Sequence, residues 1–339
     1  MVASGASQLK RTCLLVVKLG LPLALFVYLL MSVSPEDYRV FAEQPKQWGL
    51  LVLAQCIALF AICLSFLRWY LLVRAFDIPF TISEALRLGF LGYLLNFVSF
   101  GSVGGDLFKA ILVARDKPEK RPEAVTSVLL DRAVGLLGLV ILAWASLSLV
   151  PAEQLSATFL TIRRGAGITA LGSVVALFLA LLAGSWFDRW IVALRKIPVL
   201  GDTVSRMALA IRRLRRTPWT LCWILGMAIT VHSLLAITMY VISRGVYQDF
   251  PTLAEHFQVV PPAMAAGALP LAPGGIGLQE GALQALFSRL PDLPEHYSGM
   301  LVATIYRLMT ITIAGIGLLF YWYSHHRDAK IIAAAQTPL

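Results

Sequence analysis

The sequence predicts an all-α polytopic membrane protein: about six transmembrane helices plus two re-entrant hairpins, arranged as an inverted repeat. Three observations predict it. The 339 residues are 58% hydrophobic and only 14% charged, more continuous apolar sequence than a soluble core uses. Two of the apolar stretches are broken by glycine pairs at matching places, Gly104-Gly105 in one and Gly274-Gly275 in the other. Lysine and arginine gather on alternate loops, as the positive-inside rule requires.

About 20 apolar residues cross a bilayer as a helix. Lys10 and Arg11 precede an apolar run from Cys13 to Met31. That run is longer than a signal-peptide core and no small-residue cleavage site follows it. It reads as an uncleaved first span, 13–32, with Lys18 snorkelling to its end. Further spans fall at 48–71, 124–150, 166–187, 218–243 and 299–323, and the broken stretches at 85–114 and 258–287. Arg68 lies toward the end of its span and reads as a snorkelling residue.

Charge sets the orientation. With the N-terminus, 72–87, 115–123, 188–216 and the tail inside, the cytoplasmic side holds 18 of the 29 Lys and Arg. The opposite loops, 33–47, 151–165, 244–257 and 288–298, hold six. Lys18, Arg68, Lys109, Arg132 and Arg307 are embedded. This bias holds only if 85–114 enters and leaves from the cytoplasmic side and 258–287 re-enters from outside. Irregular backbone at membrane depth must be covered by protein or line a cavity, so the glycine turns face the interior.

The whole of 1–339 is one integral-membrane domain. Two halves, 1–150 and 151–339, then share one order: two spans, a hairpin and a third span. Three spans per half give the halves opposite orientation. Leu130-Asp131-Arg132-Ala133 in the third span of one half answers Ile305-Tyr306-Arg307-Leu308 in the other. Broken apolar segments at corresponding places in two halves point to a site near the bilayer midplane.

The segment 188–216 is of another kind. Eight basic residues interleave with Trp190, Ile191, Leu194, Met207 and Ile211. It reads as a basic amphipathic interfacial segment on the cytoplasmic leaflet, attractive to anionic headgroups. The alternative is an ordinary positive-inside loop.

The net charge of +10 does not point to nucleic acid, because no basic domain stands apart from the membrane. Cys13, Cys56, Cys63 and Cys222 lie in or beside apolar stretches, with no Cys-x-x-Cys pair and no histidine at ligand spacing. They read as packing residues, and no metal or cofactor is expected. There is no Walker A motif, nucleophile elbow or zincin helix, so neither ATP hydrolysis nor an enzyme activity is expected. His232, in mid-span, reads as an interhelical hydrogen-bonder.

Three blocks follow one another in order: NFVSFGSVGGDLFK (96–109), Leu130-Asp131-Arg132 and LPLAPGGIGLQE (269–280). Over nearly the whole chain they resemble the flippase-like integral-membrane domain of lysylphosphatidylglycerol synthases, and more closely its stand-alone relatives. The resemblance implies movement of a lipid between leaflets. The sequence carries no aminoacyl-transferase domain, so what is implied is the translocating half and not the synthase activity. The lipid itself does not carry over.

A charge at the bilayer centre costs about 2.5–3.5 kcal/mol on insertion scales, so Asp106, Lys109, Asp131, Arg132, Glu280 and Arg307 should face the interior and pair. Asp131 and Arg132 point about 100° apart on a helix, and each needs a partner on another element. Arg132 and Arg307 are expected to face a shared cavity and meet a lipid phosphate, since the guanidinium fork binds phosphate bidentately. Gly104, Gly105, Gly274, Gly275 and Gly277 let backbone approach a headgroup closely, and helices restarting there would offer free N–H groups to an anion. Asn96 reads as a hydrogen-bonder to the broken backbone or to the headgroup. Structural alternatives stand beside these: Asp106 with Lys109 as a simple i,i+3 pair, and Glu280 with Arg307 as a buried bridge locking a hairpin to its span.

The resulting expectation is a lipid translocator of the cytoplasmic membrane, multi-pass, with both termini cytoplasmic. It would move a phospholipid or lipid-linked headgroup without ATP. Its partners are membrane lipids that are anionic or phosphate-bearing, and a lipid-modifying enzyme where the chain serves as a docking platform. The rival readings are a membrane enzyme acting on lipid-phosphate carriers and a docking partner for a lipid-modifying enzyme or glycosyltransferase.

Overall fold

The computed structural model describes residues 20, 23–24, 27–98, 104–182, 218–269 and 275–335, and all the regular structure among them is helical. The expected first span lies mostly outside the described residues, and the basic segment 188–216 lies wholly outside them. The protein is an all-α polytopic membrane protein.

Helix α1, Pro35–Glu43, occupies the segment expected to be an outer loop. A capping box starts it: Asp37 N–H donates to Ser34 Oγ at 3.0 Å and Ser34 N–H to Asp37 Oδ2 at 3.4 Å. Then follow α2 Trp48–Ala75, α3 Ile82–Val98, α4 Gly104–Asp116, α5 Arg121–Ser148 and α6 Ala157–Leu182. The chain continues with α7 Pro218–Val246, α8 Leu253–Gly267, α9 Leu278–Phe287 and α10 Gly299–Ala335.

Five of these helices, α2, α5, α6, α7 and α10, are long and apolar enough to cross a membrane, and they match five of the six expected spans. At 1.5 Å per residue the 28 residues of α2 reach about 42 Å. The two broken stretches become pairs of short helices. Their 17, 13, 15 and 10 residues are each shorter than the roughly 20 a span needs. Within each pair the two helices pack on one another, α3 on α4 and α8 on α9.

Both pairs begin with the same device. Thr81 and Glu84 close a reciprocal cap at the start of α3, with Thr81 N–H donating to Glu84 Oε2 at 2.7 Å and Glu84 N–H to Thr81 Oγ1 at 3.2 Å. Thr252 and Glu255 do the same at the start of α8, at 2.6 and 3.3 Å. The Thr-x-x-Glu spacing satisfies two orphan N–H groups at each start.

Packing is built around α2 and α7, the most extensive helix pair. Each short pair is held between two long helices. α4 lies on α5 and α3 on α10; α9 lies on α10 and α8 on α5. The main neighbour of α6 is α5, and α6 turns Ile168, Leu171 and Phe178 outward. That apolar exposure suits a helix facing lipid tails.

Candidate functional site

In the first hairpin the backbones of α3 and α4 touch. A Cβ added to Gly105 would stand 1.8 Å from the Gly92 carbonyl oxygen, so no larger residue fits without separating the helices. Asn96, one turn beyond Gly92, reaches across and accepts the Gly105 N–H at 3.0 Å. In the second hairpin a Cβ on Gly275 would lie 2.4 Å from the Gly267 carbonyl oxygen, and Gly275 has φ +70°. Gly277, with φ +88°, is in the left-handed region that only glycine enters cheaply. Its N–H donates to Glu280 Oε2 at 2.7 Å.

The expectation of free N–H groups at the restarted helices is therefore corrected at two positions. Asn96 takes the Gly105 N–H and Glu280 takes the Gly277 N–H, because a buried donor needs an acceptor within the protein. The helix dipoles instead meet the acids of their own first turns, Asp106 and Glu280. Gly104 is the first residue of α4, while Gly274 lies outside the described residues.

The first-turn acids of α4 and α9 each pair with the arginine of the span that follows. Asp106 Oδ1 lies 2.6 Å from Lys109 Nζ, and its Oδ2 accepts from Arg132 Nε. Glu280 Oε1 accepts from Arg307 Nε at 2.6 Å. Both structural pairings anticipated in the sequence are present, and the i,i+3 pair of Asp106 and Lys109 is part of a larger group that includes Arg132. Asp131 and Arg132 find partners on different elements, as their helical angle requires: Asp131 Oδ1 accepts from Arg68 Nε at 2.8 Å.

Arg68 is a second correction. It does not snorkel to a membrane surface but is buried, and it bonds Asp131 through both side chain and backbone carbonyl. Its guanidinium lies over Gly135, where an added Cβ would meet it at 3.2 Å. His232 is the interhelical hydrogen-bonder expected, with Nε2 3.1 Å from the Gly135 carbonyl oxygen.

These groups face one cavity of about 310 Å³, at the small end of the range for ligand sites. Asn96, Asp106, Lys109, Asp131, Arg132 and Arg307 all line it. Arg68, His232, Tyr93, Gln279, Tyr306 and Thr310 line it as well, six residues that the sequence does not mark as belonging to a site. An arginine 20 residues into an unbroken apolar helix was the signal available for Arg68. Glu280 is 1% exposed and stands behind Arg307. Among the described residues four cations, Arg68, Lys109, Arg132 and Arg307, therefore stand against three carboxylates, an excess of one positive charge. Trp69 backs Lys109, whose Nζ is 5.0 Å from its ring centroid, and Phe97 backs Arg307 at 6.0 Å.

The arginines differ in access. The side chain of Arg132 is 34% exposed, while that of Arg307 is 4% exposed. Among the described residues no group of His, Cys, Asp and Glu has the arrangement of a metal site.

A family model described as lysylphosphatidylglycerol synthase TM region matches residues 14–317. No curated protein and no solved structure matches the chain.

Proposed function

The chain belongs to the lysylphosphatidylglycerol synthase TM-region family, and from that premise we propose that it moves a phospholipid or lipid-linked headgroup between the leaflets of the cytoplasmic membrane, without ATP. The observation that carries this reading is a cavity walled by both hairpins, where four cations stand against three carboxylates among the described residues. A phosphate-bearing headgroup balances that charge, and Arg132 is the cation best placed to meet it. The cavity accommodates a headgroup and leaves the acyl chains in the bilayer, which spares the protein a channel for whole lipids.

The paired organisation supports an inverted repeat of halves 1–150 and 151–339. The Thr-x-x-Glu caps, the glycine contacts and the pair of a hairpin acid with the arginine of the next span each occur once per half, and each hairpin packs on the last span of both. Rocking of such halves about a shared site is the usual route to alternating access. The lysine and arginine bias supports cytoplasmic termini.

Reconstitution tests the proposal. Proteoliposomes carrying a headgroup-labelled phosphatidylglycerol should lose outer-leaflet label asymmetry faster than empty vesicles, with no nucleotide added. Arg132→Ala, verified as folded by its elution profile, should return the rate to that of empty vesicles. Unchanged rates for the wild type across anionic and zwitterionic lipids would count against translocation.

A further inference from the structure

Two acid–arginine pairs occupy corresponding places, yet they are built for different tasks. Glu280 is fully committed. Oε1 holds Arg307 and Oε2 holds the Gly277 N–H, and the side chains of Glu280 and Arg307 are nearly inaccessible. Removing that carboxylate would take an acceptor from a buried guanidinium and from a helix start together, so this pair is fixed. Asp106 is divided. One oxygen belongs to Lys109 and the other to Arg132, whose side chain is one-third exposed to the cavity.

A carboxylate and a phosphate offer the same guanidinium fork two acceptor oxygens. Building on the headgroup reading above, we infer that Asp106 is an internal counter-ion, occupying the place on Arg132 that a ligand phosphate takes. Binding exchanges one anion for the other on Arg132 and leaves Glu280–Arg307 closed. No covalent bond forms or breaks and no proton need move. Lys109 makes the exchange affordable in physical terms: at 2.6 Å from Oδ1 it keeps the displaced carboxylate paired, where an unpaired buried charge would be strongly destabilising. Asp106 thereby limits the empty cavity to a single excess positive charge. A bound phosphate must always compete with Asp106, which keeps binding weak enough for release.

The test compares wild type, Asp106→Asn, Asp131→Asn and Arg132→Ala, each shown to be folded and monodisperse in a neutral detergent. Binding of phosphatidylglycerol, diacylglycerol and inorganic phosphate is followed by native mass spectrometry and by the ligand-induced rise in melting temperature. Asp106→Asn should bind phosphatidylglycerol about tenfold more tightly than wild type, the scale of one charge-assisted hydrogen bond. Diacylglycerol, which lacks the phosphate, should be unaffected. Where Asp106→Asn fails to fold, Asp106→Asn/Lys109→Gln restores the local charge balance and should show the same tightening.

Equal tightening in Asp131→Asn would reduce the effect to bulk charge and overturn the exchange. Loss of binding in Arg132→Ala, with no gain in either Asp106 variant, would overturn the counter-ion role and leave the headgroup reading standing. Binding by Arg132→Ala equal to wild type would remove the headgroup reading itself. A response to inorganic phosphate as strong as that to the lipid would assign the exchange to a free anion; a response to the lipid alone would assign it to a headgroup.

Discussion

Arg68 and Asp131, 63 positions apart in the chain, form a buried ion pair that ties α2 to α5, with Nε 2.8 Å from Oδ1. The two side chains are 7% and 12% exposed. Arg68→Ala leaves Asp131 charged and without this partner inside the bundle. Breaking such a pair costs about 3–5 kcal/mol in soluble proteins, whereas replacing both partners by apolar residues is often neutral. Arg68→Met should therefore sharply lower the melting temperature and the monodisperse yield, and Arg68→Met/Asp131→Leu should recover most of both. A double variant as damaged as the single one would show that the pair does more than hold two helices.

The glycine contact of the first hairpin predicts a contrast between two glycines. Gly105→Ala drives a methyl into the Gly92 carbonyl and should separate α3 from α4, costing at least the roughly 1–3 kcal/mol of overpacking. Gly172→Ala, on α6 with nothing within 4 Å of the added carbon, should be neutral or stabilising by about 0.5–1 kcal/mol. Melting curves of the two variants side by side check this.

Asn96 predicts a chemical selectivity. Its Oδ1 accepts the Gly105 N–H, so Asn96→Asp keeps the acceptor and adds a favourable charge at a helix start. Asn96→Leu leaves the donor unsatisfied, at about 1–3 kcal/mol. Lipid movement in proteoliposomes should survive Asn96→Asp better than Asn96→Leu. The reverse order would place Asn96 at the ligand and not at the backbone.

Re-entry predicts sidedness. In a cysteine-free background, Lys117→Cys should label with an impermeant maleimide only from the cytoplasmic side, and Glu153→Cys only from the outside. Labelling of Lys117→Cys from outside would make α3 and α4 one interrupted span and invert everything after them.

How much of this was legible in the sequence depended on what each residue interacts with. The glycine pairs and the embedded Asp106, Glu280, Arg132 and Arg307 stand out because glycine and charge are anomalous in apolar sequence, and their pairing follows from the cost of leaving them alone. Arg68 was misread because distance along a helix does not reveal which face meets a neighbour. Its partner comes from α5, a tertiary fact. The caps at Thr81 and Thr252 are legible in principle, since Thr-x-x-Glu opens both hairpins, but hydrophobicity carries no trace of them. Gln279, Tyr93 and Thr310 carry no anomaly at all; only packing brings them to one cavity.

The ion pairs also have a history in time, because a ribosome delivers them in order. Arg68 is made long before Asp131, so α2 reaches the bilayer with a charge whose counterpart does not yet exist, at an insertion cost of about 2.5–3.5 kcal/mol. The remaining apolar residues of a 28-residue helix can bear that burden. Asp106, Lys109, Asp131 and Arg132 then emerge within 27 residues of one another, and the first hairpin, α5 and α2 can neutralise their charges as one group before the second half is synthesised. Glu280 and Arg307 follow and close on each other, so the cavity wall is complete only once α10 has been synthesised.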